Sequence, residues 1–507
     1  MKVDIVRKRI FNEVTGQVVR VNTSPGFGTP TAALIFYVDN SANLNGLDTT
    51  TAQRNLGVGM VGPSFTGSGL ASLAHTIVCA DNSASAVTVR GHSNSRFLSL
   101  ATTDRVAYWQ GTAPVFERDA LRFNLSKGVV PTNFDMVVVF FGGLGCSAGV
   151  GLSDLNLTNG GDRVIDNFNF TPDAIITSFV GTNGFLASVA ADAILSLGVS
   201  HRSSPINQAY SLFNQYSGTN PVNTRAGIGT EMICKRASAS GVAIPPTVSA
   251  GSGGSIFSYD STGFTMRTTL GAQASTYFYN YLILAAPERI KTGIFATPSS
   301  TGNTYVDLGF VPQFVMGSSV GGTLFQAQYD VAPESNNISY WFAMGPQANN
   351  TFYKGTGTIS ASTGSATITG TGTSFMGQIN EGDILVGPAY EAVGTVSSVG
   401  GSTSLTLTGS SSNNITAGSD YFYKRSGQFN IVFGDANDGT TPTAVFSGIM
   451  TTAPTLYNTT QYSSGSFIAF DSRPGFTINY SDAESLPRLN WYFAVEAEPR
   501  RKRRSIG

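Results

Sequence analysis

Charge is scarce in this sequence: Asp, Glu, Lys and Arg make up only 12% of its 507 residues. That scarcity is not disorder, because 41% of residues are hydrophobic and 11% aromatic. With a formal net charge of −1, the chain also lacks the basic balance of a general nucleic-acid or membrane-surface binder. Cysteine is scarcer still. Cys79, Cys146 and Cys234 are odd in number and widely spaced, which excludes a zinc cluster and a disulfide framework and reads as buried, inert thiols. No run approaches 18 uncharged apolar residues, so no membrane-spanning helix is expected. The opening MKVDIVRKRIFNEV has no apolar segment of the kind a secretory signal needs. Helical periodicity is nearly missing too, and SPINQAYSLFNQYSG (204–218) is the one fair candidate.

What the chain does have is repetition. GFGTPTAALIFYV (26–38), FNFTPDAIITSFV (168–180) and LGFVPQFVMGSSV (308–320) each place an aromatic shortly before a proline and an apolar run after it. Pro30, Pro172 and Pro312 are spaced by 142 and 140 residues. FERDALRF (116–123) and FSYDSTGF (257–264) keep the same period, and FIAFDSRPGFTINY (467–480) carries Asp471 and Phe476 about 71 residues late. A Gly-, Ser- and Thr-rich island, 354–427, accounts for the delay. Proline donates nothing to a sheet ladder, so these prolines belong at strand starts, each with an aromatic capping the core. Openings such as TGQVVRV (15–21) and closings such as MVVVFFGG (136–143) are of strand length, about eight strands per repeat. The expected fold is all-β: three tandem β-sandwich, jelly-roll-like repeats at 1–147, 148–288 and 289–354 with 427–499. A small inserted β-module, a β-barrel or meander of about five strands, is expected at 355–426, contributing little to its host's core, followed by a basic tail at 500–507.

Candidate chemistry is thin. Gly145-Cys146-Ser147-Ala148-Gly149 matches the nucleophile elbow after a strand, with His201 and Asp173 or Asp192 as nominal partners, but the following VGLSDLNLTNGGD reads as turns, not a helix. GVGMVG (57–62) has the letters of a dinucleotide loop, yet PSFTG follows it and offers no helix N-terminus to a phosphate. His75, His92 and His201 have no partner at metal-ligand spacing. Asp119, Asp260 and Asp471 recur once per repeat and read as turn formers. Tyr210, Phe213 and Tyr216 could stack on sugars, though packing is the simpler role. No enzyme, cofactor or metal site is expected.

The recurring GF-x-P turn with F-x-x-D-x-x-G-F-T resembles repeats in structural proteins of tailed bacteriophages. The island, GTGTIS…GSATITGTGTSF…GDILV…VGTVSSV…TSLTLT, is similar to a small β-module of phage tail and fibre proteins. This resemblance implies a non-enzymatic, multicopy virion component, assembled in the bacterial host cytoplasm through contacts with other virion proteins and further copies of itself. A tail component is the first expectation. A capsid decoration protein or a host-surface glycan-binding fibre module are the alternatives. Neither membrane insertion nor a nucleic-acid partner is expected. The run Arg500, Arg501, Lys502, Arg503 and Arg504 is expected to dock on an acidic surface of another subunit, since like charges so close repel unless carboxylates offset them.

Overall fold

The computed structural model describes residues 1–10, 16–39, 53–65, 69–80, 88–101, 107–128, 133–155, 160–180, 187–189, 192–203, 208–216, 222–229, 233–234, 253–268, 278–286, 289–320, 338–345, 351–425, 427–435, 445–450, 453–456, 463–470, 473–482 and 489–497. Strands dominate throughout, and every ladder between them is antiparallel. The first ten are β1 (Lys2–Ile10), β2 (Gln17–Asn22), β3 (Pro30–Asp39), β4 (Gln53–Pro63), β5 (Leu70–Ala80), β6 (Thr88–Ser93), β7 (Leu98–Ala101), β8 (Ala107–Glu117), β9 (Ala120–Lys127) and β10 (Phe134–Gly142). They form a large sheet, β1-β10-β3-β4-β5-β6, facing a small one, β2-β9-β8-β7.

A second set follows: β11 (Ser147–Asp154), β12 (Asp162–Ile165), β13 (Ala174–Phe179), β14 (Ala187–Val189), β15 (Asp192–His201), β16 (Gln208–Tyr216), β17 (Val222–Gly229), β18 (Ile233–Cys234), β19 (Gly253–Tyr259), β20 (Phe264–Thr268) and β21 (Phe278–Ala285). Its sheets are β11-β21-β13-β15-β16-β17 and β12-β20-β19-β18, while β14 crosses to pair with β6. The third set opens with β22 (Ile290–Ala296), β23 (Gly302–Asp307), β24 (Pro312–Val320) and β25 (Ile338–Met344).

The insert then intervenes with β26 (Tyr353–Lys354), β27 (Thr358–Ala361), β28 (Thr367–Thr371), α1 (Phe375–Gln378), β29 (Ile384–Val386), β30 (Ala392–Val399), β31 (Ser404–Leu407), β32 (Ile415–Ser419) and β33 (Phe422–Lys424). The third set resumes at β34 (Gln428–Asp435), β35 (Val445–Met450), β36 (Ala453–Leu456), β37 (Ser463–Phe470), β38 (Gly475–Asp482) and β39 (Leu489–Glu496). Its sheets are β22-β39-β24-β25-β34-β35 and β23-β38-β37-β36. Once β14 and the insert are set aside, the strand order is the same in all three sets. Phe123, Phe264 and Phe476 are all buried on the ninth strand of their set, each paired with the second strand.

Three details differ from the sequence-based expectation. Each set has ten strands, not eight, because elements as short as β12 and β18 leave no apolar run to count. Jelly-roll nesting is confined to the first, tenth and third strands and to the second and ninth; the remainder runs as meanders. Residues Gln208–Tyr216, the helix candidate, form strand β16, because pairing with β15 and β17 satisfies its backbone on both sides.

The prolines stand where strands begin. Pro30 and Pro312 are the first residues of β3 and β24, and Pro172 lies two before β13. Ahead of them Phe27 and Phe310 are buried in their sandwich cores, and Phe170 packs against its own. Gly59 on β4 shows how closely the two layers of the first sandwich meet, since a Cβ there would lie 1.9 Å from the Phe97 carbonyl oxygen. Backbone cannot swing away as a side-chain tip can. Gly59→Ala is expected to destabilise the chain by about 1–3 kcal/mol, read as a lower denaturant midpoint.

The insert forms an eight-stranded open sheet in the order β26-β33-β29-β30-β31-β28-β27-β32, with more strands than the five or so expected and without closing into a barrel. A register shift between Val396 and Ser398 bends β30, folding the sheet over Ile359, Ile368, Phe375, Leu385 and Leu405. With β26 only two residues long, the ends have too few ladder positions to join.

Candidate functional site at the seams between sandwiches

Each large sheet is covered twice. One face packs on its own small sheet, as with Ile35, Val138 and Phe123 in the first sandwich. The opposite faces of all three large sheets meet in one shared core containing Leu34, Val139, Ile176, Leu282, Phe314 and Phe493. The contacts follow a cyclic rule. The sixth strand of each set packs on the next set's sheet: β6 on β15, β17 on β24 and β25, and β35 back on β3 and β4. The three sandwiches therefore close into a triangle.

Polar side chains cross every seam. His75 on β5 and His92 on β6 are direct cross-strand partners, and their Nε2 and Nδ1 share a hydrogen bond of 3.0 Å. His75 Nδ1 is bonded in turn to Ser178 Oγ of the second sandwich at 2.9 Å, and His92 stacks on Phe278 at 5.6 Å. At the second seam His201 Nδ1 bonds Thr292 Oγ1 at 3.0 Å, and Trp341 Nε1 donates to Ser211 Oγ at 2.6 Å. At the third, Gln313 Nε2 donates to the Met1 carbonyl at 2.9 Å. Burial disfavours the imidazolium in all three histidines: His92 and His201 are held down to about 4 and His75 well below its ordinary value, with the neighbouring His92 adding to the effect on His75.

The order Ser178, His75, His92 has the connectivity of a nucleophile with two relays. Ser178 and His75 are completely buried, however, and both His75 nitrogens are engaged inside the seam. Such a serine meets no substrate, and the group works as a neutral polar clasp.

A fourth contact joins the insert to the first sandwich. Arg425, next to β33, is 2% exposed. Its guanidinium donates to the carbonyls of Asn22 (2.7 Å), Thr23 (2.9 Å) and Gln378 (3.0 Å). Asn380 Nδ2 donates to the Asn22 carbonyl at 2.8 Å, and Asn22 Nδ2 to the Met376 carbonyl at 3.1 Å. Lys8 on β1 pairs with Glu381 at 2.8 Å. Two buried carboxylates, Asp4 and Asp383, lie in the field of Arg425. Burial raises both, Asp383 to about 6, and the guanidinium opposes that rise. The insert, which interrupts the third sandwich, is thus seated on the first.

The residues singled out from the sequence are scattered. Ser147 opens β11 opposite Ala285, so its glycine motif leads into a strand, not a helix. Asp173 accepts from the Ala286 N–H, and Asp192 starts β15. The glycines of 57–62 lie within β4. Asp119 takes the left-handed conformation (φ 58°) in the β8–β9 hairpin and accepts from Gly28 N–H at 2.6 Å. Asp260 lies in the turn between β19 and β20, whereas Asp471 lies outside the described residues. Tyr210, Phe213 and Tyr216 lie on β16. Arg500, Arg501, Lys502, Arg503 and Arg504 are outside the described residues. Among the described residues no group of His, Cys, Asp and Glu is placed to hold a metal, and no helix is long and apolar enough to cross a membrane.

No protein-family model and no curated protein matches this chain.

Proposed function

We propose that the chain is a non-enzymatic structural protein of a tailed-bacteriophage virion, a multicopy tail component held by protein–protein contacts. The observation that carries this reading is the closure of three like-ordered sandwiches around one shared core. A triangle with three similar outer sides matches a three-fold site on a symmetric assembly, where each side meets an equivalent neighbour. The polar groups at the seams fit the same reading, because they bond one sandwich to the next.

The basic run Arg500 to Arg504 is assigned the role of a tether on an acidic subunit. Truncation after Pro499 is expected to leave the unfolding midpoint unchanged and to lower the copies incorporated per particle. Quantitative mass spectrometry of purified particles, with a reconstruction locating the chain, tests the whole reading. Many copies along the tail support it. Copies confined to the capsid surface transfer the role to decoration, and absence from particles overturns it.

A further inference from the structure

The chain passes from the first sandwich to the second, and from the second to the third, through links of four residues, 143–146 and 286–289. No such link runs from the third sandwich back to the first, so their seam is held by non-covalent contacts alone. Gln313, the second residue of β24, grips both sides of it. Its Nε2 donates to the Met1 carbonyl at 2.9 Å and to the Glu496 carbonyl at 2.8 Å, and its Oε1 accepts from Val3 N–H at 3.3 Å.

The insert crosses this same seam. It is rooted in the third sandwich, where Gly345 N–H, just after β25, donates to the Gly427 carbonyl, just before β34, at 2.7 Å. Arg425 stands at that root, yet two of its three carbonyl acceptors, Asn22 and Thr23, belong to the first sandwich. A carboxylate from each side, Asp4 of the first sandwich and Asp383 of the insert, lies in its field. Asn380 takes both backbone groups of Asn22, accepting from its N–H at 3.3 Å and donating to its carbonyl at 2.8 Å, as a neighbouring strand would. The insert's apolar core closes over residues of the insert alone. Its buried polar groups, by contrast, find their partners only when it is docked.

We propose that the insert is a strap across the third seam: it holds the first and third sandwiches together where no peptide does, and releasing it opens the triangle there while the other two seams stay closed. Two attachments at one seam reinforce each other, because while either holds, the other re-forms as an intramolecular contact at high effective concentration. This role is independent of what the protein assembles with.

Spin-label distances across the seams test it. Val18, Val164 and Ile468 are exposed on the small sheets of the first, second and third sandwiches. With Cys79, Cys146 and Cys234 replaced by alanine, labels on Val18→Cys and Ile468→Cys span the third seam, and labels on Val18→Cys and Val164→Cys the first. Two changes release the strap. One replaces 346–426 by a short Gly-Ser link, which the Gly345–Gly427 contact permits. The other, Lys8→Glu, sets a like charge against Glu381, its partner at 2.8 Å. In both, the 18–468 distribution is expected to gain a longer component of about a tenth of the population or more, while the 18–164 distribution stays as in the parent. Adding Glu381→Lys to Lys8→Glu is expected to restore the parent 18–468 distribution. The Lys8 pair decides alone if the shortened chain fails to fold. An unchanged 18–468 distribution, equal broadening of 18–164, or no recovery in the charge-swapped chain would each overturn the proposal.

Discussion

Arg425→Met is expected to destabilise the chain by about 3–5 kcal/mol, the loss seen when one partner of a buried charge pair is removed. The guanidinium satisfies three carbonyls and lies beside Asp4 and Asp383, so methionine would leave acceptors unpaired and two acids without their cation. Lysine is not a conservative replacement. Its single ammonium cannot span the Asn22, Thr23 and Gln378 oxygens from one planar fork. Denaturant unfolding gives the measurement, with Asp383→Asn in the Arg425→Met background as the control. If the acid is a source of the penalty, the second change recovers part of the loss. A loss below about 1 kcal/mol for Arg425→Met would show the seat to be open to water.

Acid is expected to loosen the seams. In the unfolded chain each histidine takes up its proton near 6.5, while His92 and His201 in the folded chain remain neutral down to about 4. Between these values the unfolded state binds more protons, so stability falls as pH drops from about 6.5 and the loss is complete below about 4. Each of the two contributes on the order of 3 kcal/mol over the window, with a limiting slope of about 1.4 kcal/mol per pH unit. His75 adds in the same direction. Asp383 acts oppositely: raised from 3.8 to about 6, it keeps its proton in the folded state and favours folding as pH falls through that range. Asp4, also raised by burial, acts in the same direction as Asp383, and the two acids offset only part of three bases. Urea midpoints from pH 7.5 to 4.5 should decline, and His201→Asn should remove about one proton's worth of slope. A flat profile would refute the assignment.

The sandwich count and the strand starts were legible because proline and aromatic residues mark a fixed local geometry at Pro30, Pro172 and Pro312. Local pattern does not report what covers the far face of a sheet. Its trace was present in runs such as Ala32–Val38 and Met136–Phe141, which are apolar on consecutive residues where a half-solvated strand alternates. The seam histidines were invisible for another reason. His75 and His92 are 17 residues apart and meet only through hairpin register, and Ser178 is 103 residues from His75. Arg425 lies 403 residues from Asn22, a separation that no spacing rule spans. Residues 208–216 misled because helical and strand patterns overlap in short apolar stretches, and pairing decided between them.

The joining of the three sandwiches on one polypeptide changes how the triangle responds to dilution and to variation. A trimer of separate chains dissociates as its concentration falls, whereas linked units see one another at a fixed effective concentration and stay closed in single copies. Separate identical chains would also carry any added module three times. Here the module occurs once, on the third sandwich and seated against the first, so each triangle presents a single arm. Any assembly of such triangles would carry the inserted module in a one-to-one ratio with them, and the side bearing the arm would be free to diverge while the other two keep their packing.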